Sequence, residues 1–441
     1  MSLTFNKRFI FFYLVFFLLF CGNVALLKDG YLYNLSTIFD NLSYIFQVRV
    51  VNNYKVYFSY NLVMIIILVY FFVFVIPNLN SLKLGLLEVF FSMLLLYRGI
   101  NDVVVSLFAM EPIGVGYILK YITYVILYAS IIFALRNSPI KSQELFIKNF
   151  TNIFIISGIV NSVVIIIQFF YEYSIFYSSM NLLETFRFIR PISLMGVVTV
   201  NSMFIGFSII LLVSKYKYFK TTISKLFFFL LLFTLVLGEL FTSSRGGFLI
   251  LFLTFIHVLV INYNKFKISA KIMIRCSILF LILVVAYFIT QDLILSYLEN
   301  VFLSNSANAS NDSRLSKWGL ALDLFLQYPA FGVGTGNYNT IQSALTSGWS
   351  SSNPHNVLLQ ILSENGLIYT LLFYSILIYF FFKYHFKLRQ TQYYPIYAVI
   401  VYWFYSSFYM STLDNMVLGM SFVSMLAVIA GVNFKKLEED D

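Results

Sequence analysis

Apolar and polar residues alternate along this chain in long blocks, with runs of about 20 apolar residues recurring from one end to the other. A helix of that length crosses the hydrocarbon layer of a bilayer, because each residue adds about 1.5 Å of rise. The pattern predicts an all-α integral membrane protein of about 12 transmembrane helices, near residues 9–27, 56–76, 83–97, 117–135, 150–170, 196–213, 226–242, 247–263, 272–289, 356–382, 395–411 and 415–433.

One long polar block interrupts this pattern, at roughly residues 290–354, and it is rich in Asn, Ser, Gly and Tyr. It divides the chain into three predicted parts. Residues 1–289 carry spans one to nine, residues 290–354 form a large loop with short amphipathic helices, and residues 355–441 carry spans ten to twelve and a tail. We therefore expect any chemistry in water to gather at this loop.

The composition supports a membrane protein. Hydrophobic residues make up 60% of the chain and charged residues only 11%, well apart from the proportions of soluble domains. The two cysteines, Cys21 and Cys276, both fall in apolar spans, so neither a disulfide framework nor a metal site is indicated. The first apolar run is long and lacks a small-residue cleavage site, which predicts a retained span rather than a signal peptide.

The basic residues predict the orientation of the chain. With a cytoplasmic N-terminus, 19 of the 29 Lys and Arg residues fall in cytoplasmic segments and 9 in outer segments, with Lys120 inside the fourth span. This bias follows the positive-inside rule. It predicts a multi-pass protein of a bacterial inner membrane, with both termini cytoplasmic and the 290–354 loop extracytoplasmic. The net charge of +10 is then explained by topology, and no nucleic-acid partner is required.

His355 is the leading candidate for chemistry, because it follows the polar loop at the outer mouth of the tenth span. The chain has only three His, and imidazole is the side chain best suited to accept a proton near neutral pH. We expect Pro354 in the first helical turn, with Ser352 or Asn353 as the cap, and the helix dipole would then favour neutral imidazole. The alternative is a capping or interfacial His; His257 and His385 are expected to be structural.

Three arginines at predicted helix mouths, Arg190, Arg245 and Arg314, indicate an anion site, since guanidinium binds phosphate oxygens in pairs. Lipid-linked pyrophosphates are the anions present where such helices leave the bilayer. The alternative for each arginine is that it extends its charge to the headgroups. Arg245 precedes Gly246-Gly247, a pair expected to let a phosphate approach the backbone. Arg98 has no flanking motif, so Arg98→Lys is expected to be nearly silent.

Other polar residues have weaker claims. The Gly332, Gly334 and Gly336 pattern does not open a helix after a strand, so we reject a dinucleotide site; the glycines are expected to bring the loop close to a ligand. Asp323 and Tyr338 are candidates for orienting an acceptor. Further expectations concern carboxylates: Glu364 pairs with an arginine or faces a wet cavity, and Glu239 is a local partner for Arg245.

A set of motifs in this order resembles the O-antigen ligase and O-antigen polymerase superfamily. Ser244-Arg245-Gly246-Gly247 is similar to that superfamily's Ser-Arg-Gly-Gly turn. The rest is similar to its large outer loop: Arg314 through Trp318, Tyr328-Pro329, the residues from Gly332 to Tyr338, Pro354-His355-Asn356, Leu359-Gln360, Glu364 and Gly366-Leu367. The motifs cover roughly residues 187–367, while the first half of the chain matches only in hydropathy.

The resemblance implies a membrane glycosyltransferase of GT-C architecture that uses a glycan linked to undecaprenyl pyrophosphate, with inversion and without metal or other cofactor. The scattered outer carboxylates agree with this, since a divalent metal needs several convergent oxygens. His355 is then the base, and Arg245, Arg190 and Arg314 bind the pyrophosphate. Expected partners are the lipid-linked oligosaccharide, the bilayer, and a flippase and chain-length regulator of a polysaccharide locus.

Three functions remain open. A polymerase transfers the growing chain to the next lipid-linked repeat unit, whereas a ligase transfers glycan to lipid A core or to a protein. We favour the polymerase by analogy, because strongly apolar sequences of this kind are typical of polymerases. A lipid-linked oligosaccharide flippase or other transporter is the alternative of another class. Twelve spans suit a transporter, but no repeat symmetry is evident and the polar clusters lie at the predicted outer surface.

Overall fold

The hydropathy blocks form helices in the computed structural model, which describes residues 9–21, 58–109, 115–171, 193, 198–242, 244–261, 305–345, 353–388, 393–410, 412–413 and 415–432. Over these ranges the chain is all-helical and has no strand. The helices are α1 (Ile10–Cys21), α2 (Phe58–Tyr70), α3 (Leu86–Ala109), α4 (Val115–Arg136), α5 (Ile140–Tyr171), α6 (Val198–Ser214), α7 (Thr222–Phe241), α8 (Arg245–Ile261), α9 (Asn305–Gln327), α10 (Asn337–Leu345), α11 (Val357–Leu388), α12 (Tyr394–Ser407) and α13 (Met416–Gly431).

Each predicted span except the ninth coincides with one of these helices, and residues 272–289 lie outside the described part of the chain. Within the described ranges, five helical segments are long and apolar enough to cross a membrane: Val63–Ser81, Ile118–Arg136, Ile140–Phe170, Thr222–Phe241 and Val357–Leu388. Shorter apolar helices add Ile10–Phe20, Thr199–Ser214 and Met416–Gly431. The described part of the chain is all-helical, and its long apolar helices are those of a membrane protein.

Phenylalanines join the first helices to the bundle. On α1 they recur at four-residue spacing, which places them on one face. Each contacts a phenylalanine of α5, and successive partners on α5 are also one helical turn apart. The pairs are Phe12–Phe146, Phe16–Phe150 and Phe20–Phe154, with ring centroids 6.1, 4.9 and 4.7 Å apart. Ring pairs at such distances add to the energy of buried area, so this ladder fixes the register of α1 on α5.

Helix α3 differs from its prediction. The span predicted near 83–97 extends to Ala109, so Arg98 lies inside a helix and not in an outer segment. At the start of α3, Glu88 forms an ion pair with Arg136 of α4 at 3.1 Å. The same Arg136 donates to the carbonyl oxygen of Ala430 at 3.1 Å and to that of Lys83. These bonds tie α3, α4 and α13 together at one end.

The glycine-rich segment after α9 docks on α11 where that helix is broken. Gly366 has φ +77° inside Val357–Leu388, which interrupts the helical hydrogen bonds. The backbone N–H groups of Val333 and Gly334 donate to the carbonyl oxygens of Ser363 and Glu364 at 2.9 and 2.8 Å. The three loop glycines all have positive φ.

A Cβ on Gly332 would lie 2.3 Å from the carbonyl carbon of Glu364. Gly332 therefore brings the loop against the α11 backbone, a close approach that the sequence analysis expected toward a ligand. Leu367 completes the junction, because its N–H donates to Pro329 at 2.8 Å.

Candidate active site

His355 lies immediately before α11, in the left-handed region of backbone conformation with φ +53°. The helix begins at Val357, and Asn356 caps it by accepting a hydrogen bond from the N–H of Leu359 at 3.1 Å. This corrects the expected cap at Ser352 or Asn353 and the expected place of Pro354, which precedes the helix. His355 is thus presented by a strained turn at the mouth of α11.

Helix α9 is bound to this turn from the side. The indole N–H of Trp318 donates to the carbonyl oxygen of Pro354 at 2.8 Å. Tyr338 of α10 is fully buried, and its hydroxyl donates to the carbonyl oxygen of Lys317 at 2.9 Å. Burial, followed by the charge of Glu364, raises the pKa of Tyr338 above its usual range, so this hydroxyl keeps its proton. The two bonds set the α9 backbone beside His355.

Two cations on α9 act on the imidazole. Arg314 and Lys317 are three residues apart, so they share a helix face, and both are half-buried. Burial first, then the charges of Lys317 and Arg314, lowers the pKa of His355 from 6.5 to about 4. The pKa of Lys317 is also lowered, by burial and then by Arg314. His355 is therefore neutral at physiological pH, because burial and the two cations disfavour the imidazolium form.

The Ser-Arg-Gly-Gly turn begins α8 at the same end of the bundle. Ser244 caps the helix, because its hydroxyl accepts a bond from the N–H of Gly247 at 3.3 Å. A Cβ on Gly246 would lie 1.9 Å from Cε1 of Tyr409, and one on Gly247 would lie 1.8 Å from the Ser202 hydroxyl. Side chains of the bundle thus occupy the space that the glycines leave, where we expected a phosphate to approach.

Tyr409 connects this turn to α9. It follows α12, and the guanidinium carbon of Arg314 lies 4.2 Å from the centroid of its ring. The same ring also packs against Gly246, in the first turn of α8. Arg314, Tyr409 and the first turn of α8 are therefore neighbours, although they are far apart in the sequence.

A column of polar side chains runs from the His355 turn into the bundle. Asn356, Gln360 and Glu364 recur at four-residue spacing on α11, and Gln360 donates to both oxygens of Glu364 at 3.3 Å. Glu364 forms a buried ion pair with Arg98 at 2.9 Å, with exposed fractions of 0% and 1%. Arg98 also donates to Asn365 and to the Tyr121 hydroxyl.

Of the two expectations for Glu364, the one that pairs it with an arginine is confirmed. Arg98 has no flanking sequence motif, yet it has buried partners, so the reason for expecting a nearly silent Arg98→Lys does not hold. The guanidinium of Arg98 contacts groups on α4 and α11, and an ammonium presents only a point charge.

The structure places the remaining candidates as follows. Arg190 and the side chain of Arg245 lie outside the described residues, although the Arg245 backbone starts α8. Asp323 lies on the exposed face of α9, away from the contacts that join α9 to the His355 turn. Glu239 accepts a bond from the Ser202 hydroxyl at 2.5 Å, so its described partner is Ser202. His257 contacts the Tyr405 hydroxyl at 2.9 Å, in keeping with a structural role.

Sequence reasoning placed Lys317 in the same motif as Arg314 but gave it no role of its own, and it passed over Tyr409. Lys317 carried a usable signal, because it lies three residues after Arg314 and directly before Trp318. Tyr409 carried none, since it is one of 33 tyrosines and nothing in its neighbourhood marks it. In the described part of the chain, no group of three or more His, Cys, Asp or Glu side chains is placed to hold a metal ion.

Comparison with known proteins agrees with this geometry. Residues 226–374 match the family model described as O-antigen ligase, a segment of about a third of the chain that includes Arg245, Arg314, Lys317 and His355. A search of curated proteins finds no match to the chain. Residues 226–374 are thus similar to the O-antigen ligase family, in agreement with the resemblance that the motifs of this segment carry.

Proposed function

We propose that this protein is a polysaccharide polymerase that transfers a glycan from undecaprenyl pyrophosphate to a sugar hydroxyl of a lipid-linked repeat unit. One observation carries the proposal: helix α9, which bears Arg314 and Lys317, is joined by the Trp318 hydrogen bond to the turn that presents His355. A base and an anion site are the two functions that such a transfer requires. The similarity of residues 226–374 to the O-antigen ligase family supports the same reaction class.

The cations serve the donor. Arg314 and Lys317, with Arg245 at the start of α8 and Arg190, hold the pyrophosphate and stabilise the charge that grows as it leaves. Removing one such contact from a site that excludes water costs on the order of 3–4 kcal/mol in the barrier. Arg314 and Lys317 lie on one face of α9, so they approach a diphosphate from the same side.

His355 serves the acceptor. Its unprotonated ring nitrogen takes the proton from the acceptor hydroxyl, and the oxygen forms a bond to the anomeric carbon. The bond from that carbon to the pyrophosphate oxygen breaks, and undecaprenyl pyrophosphate leaves with the electron pair. Attack from the opposite face inverts the sugar carbon. Asp323 and Tyr338 remain candidates for orienting the acceptor, with Tyr338 acting through the α9 backbone that it fixes.

In this proposal the charge on the leaving group is balanced by side-chain cations, so the reaction needs neither metal nor cofactor. The proposed setting is a bacterial inner membrane with both termini cytoplasmic and the His355 turn on the extracytoplasmic side. A flippase that supplies the lipid-linked unit and a chain-length regulator are the proposed partners.

A ligase is the second candidate, because the matching family model is described as O-antigen ligase. It shares donor and chemistry with the polymerase and differs only in acceptor, which is lipid A core or a protein. A transporter is the third, and it would move the lipid-linked unit without forming a bond.

One assay separates the three. Purified protein in vesicles receives a lipid-linked repeat unit in EDTA, with and without lipid A core or acceptor protein. Longer lipid-linked products support the polymerase, transfer only with the added acceptor supports the ligase, and passage without a new bond supports the transporter. His355→Ala should abolish transfer in either enzyme while passage by a transporter continues. Loss of activity in EDTA with rescue by Mg²⁺ or Mn²⁺ would overturn the metal-free mechanism.

A further inference from the structure

Tyr409 contacts two parts of the candidate site and lies beyond the segment that matches the family. It follows α12, its N–H donates to the carbonyl oxygen of Ser406 at 3.0 Å, and its side chain is half-buried. One contact is with the first turn of α8, where Cε1 fills the space beside Gly246. The other is with Arg314 of α9, at 4.2 Å from guanidinium carbon to ring centroid.

The contact with Arg314 restrains a side chain that otherwise has several free torsions. A guanidinium within about 6 Å of an aromatic centroid is attracted to the ring face, by ~0.5–1 kcal/mol when exposed and more when desolvated. Guanidinium groups stack on aromatic faces, and in that arrangement their N–H donors point outward in the plane of the group. A stacked arginine therefore keeps its donor edge open to a phosphate while its direction is fixed.

The contact with Gly246 fixes the ring in turn. Any side chain at position 246 would overlap the ring, because even a Cβ would lie 1.9 and 2.2 Å from its Cε1 and Cζ atoms. Glycine at this position is thus matched to a tyrosine more than 160 residues later in the chain.

We propose that Tyr409 is a positioning residue, which aims the guanidinium of Arg314 at the donor pyrophosphate and sets it against the turn where Arg245 begins α8. The proposal rests on the proposed function of the site. It assigns no chemical step to the Tyr409 hydroxyl, since the ring alone makes both contacts. Phenylalanine should therefore replace tyrosine without loss, whereas an aliphatic side chain of similar size should not.

The test measures transfer and donor binding by the full-length protein for Tyr409→Phe, Tyr409→Leu and Gly246→Ala. We expect Tyr409→Phe to match the wild type, and Tyr409→Leu and Gly246→Ala to raise KM for the donor at least fivefold. A merely structural role for Tyr409 would lower melting temperature and kcat together, with no such change in KM. Tyr379→Leu is the matched control, because a cation also lies over the Tyr379 ring, Lys383 at 6.0 Å from its centroid, but away from the site.

Two double variants make the test independent of folding losses. If Tyr409 acts through Arg314, then Tyr409→Leu should cost nothing further in the Arg314→Lys background. If Gly246 makes room for the ring, then Gly246→Ala should cost nothing further in the Tyr409→Leu background. Full additivity in both pairs would overturn the proposal.

Binding of undecaprenyl pyrophosphate separates this proposal from the proposed function. Wild-type protein that fails to bind this lipid at all would contradict the function itself. Equally tight binding by the wild type and by Tyr409→Leu would contradict only the role of Tyr409. We expect binding by the wild type and by Tyr409→Phe, and binding at least fivefold weaker by Tyr409→Leu.

Discussion

At the scale of single residues, the basicity of His355 depends on the charges around it. Its pKa is lowered to about 4 by burial, Lys317 and Arg314, in that order, so it accepts a proton only weakly while the site lacks an anion. A bound pyrophosphate would offset the two cations and raise the pKa of the imidazole. The pH profile of kcat reports the enzyme with donor bound, and that of kcat/KM reports the free enzyme. The acidic limb of the kcat profile should therefore lie at higher pH than that of the kcat/KM profile.

Lys317→Gln tests this coupling. Because Lys317 lowers the pKa of His355, its removal should move the acid limb of kcat/KM to higher pH. The control is Lys220→Gln, an exposed lysine between α6 and α7, which should leave the limb in place. A limb that stays near pH 4 in Lys317→Gln would show that Lys317 does not act on the base.

The backbone at His355 makes a second prediction. An L-residue in the left-handed region costs roughly 1–2 kcal/mol, and glycine is free of this cost. His355→Gly should therefore melt at higher temperature than His355→Ala, while both lose transfer by about 10²–10⁴-fold. Equal melting temperatures would mean that the turn relaxes when the imidazole is removed.

At the scale of elements, the break in α11 depends on Gly366. Alanine there would keep a positive φ, +77°, and place a Cβ 2.2 Å from the carbonyl oxygen of Ala330. Gly366→Ala should lower the melting temperature by several degrees. Gly319→Ala is the matched control, since no atom lies within 4 Å of that Cβ position on α9. An alanine there should be neutral or stabilise by up to about 1 kcal/mol. The reverse ranking of the two variants would refute the junction as described.

Arg98 and Glu364 bind α3 to α11. Breaking a buried pair leaves one charge without its partner and costs about 3–5 kcal/mol. Arg98→Lys keeps the charge but cannot reach Tyr121, Glu364 and Asn365 together, so we expect clear destabilisation in a thermal melt. Replacing both members of the pair, as in Arg98→Leu with Glu364→Leu, should recover part of the loss. An unchanged melt of Arg98→Lys would show that the bonds of Arg98 to Tyr121 and Asn365 do not stabilise the fold.

The sequence predicted the helices well because a run of apolar residues in a membrane has few alternatives to a helix. It predicted the end of α3 poorly, because Arg98 interrupts the apolar run and its partner Glu364 is more than 260 residues away. The glycine pattern indicated that the loop approaches another group closely. It did not indicate that this group is the backbone of α11, because a glycine allows a close approach without specifying the neighbour. His355 and Arg314 could be found from their motif, whereas the contact of Tyr409 with Gly246 exists only in three dimensions.

At the scale of the whole molecule, the candidate site lies at one end of the bundle, where α8 and α11 begin. The charge pattern predicts that this end is extracytoplasmic. With Cys21 and Cys276 replaced, a cysteine at Asp323 on the exposed face of α9 should react with a membrane-impermeant maleimide on intact cells. A cysteine at Lys220, between α6 and α7, should react only after permeabilisation. The opposite pattern would invert the proposed topology.

The ion pair between Arg98 and Glu364 limits how this protein can be recombined with its relatives. The matching segment, residues 226–374, contains Glu364 but not Arg98. A chimaera that receives this segment alone would bury the Glu364 carboxylate without Arg98, which balances its charge in this protein. Grafts meant to exchange acceptor specificity should therefore carry α3 with the loop, or supply an arginine at the equivalent depth of the host.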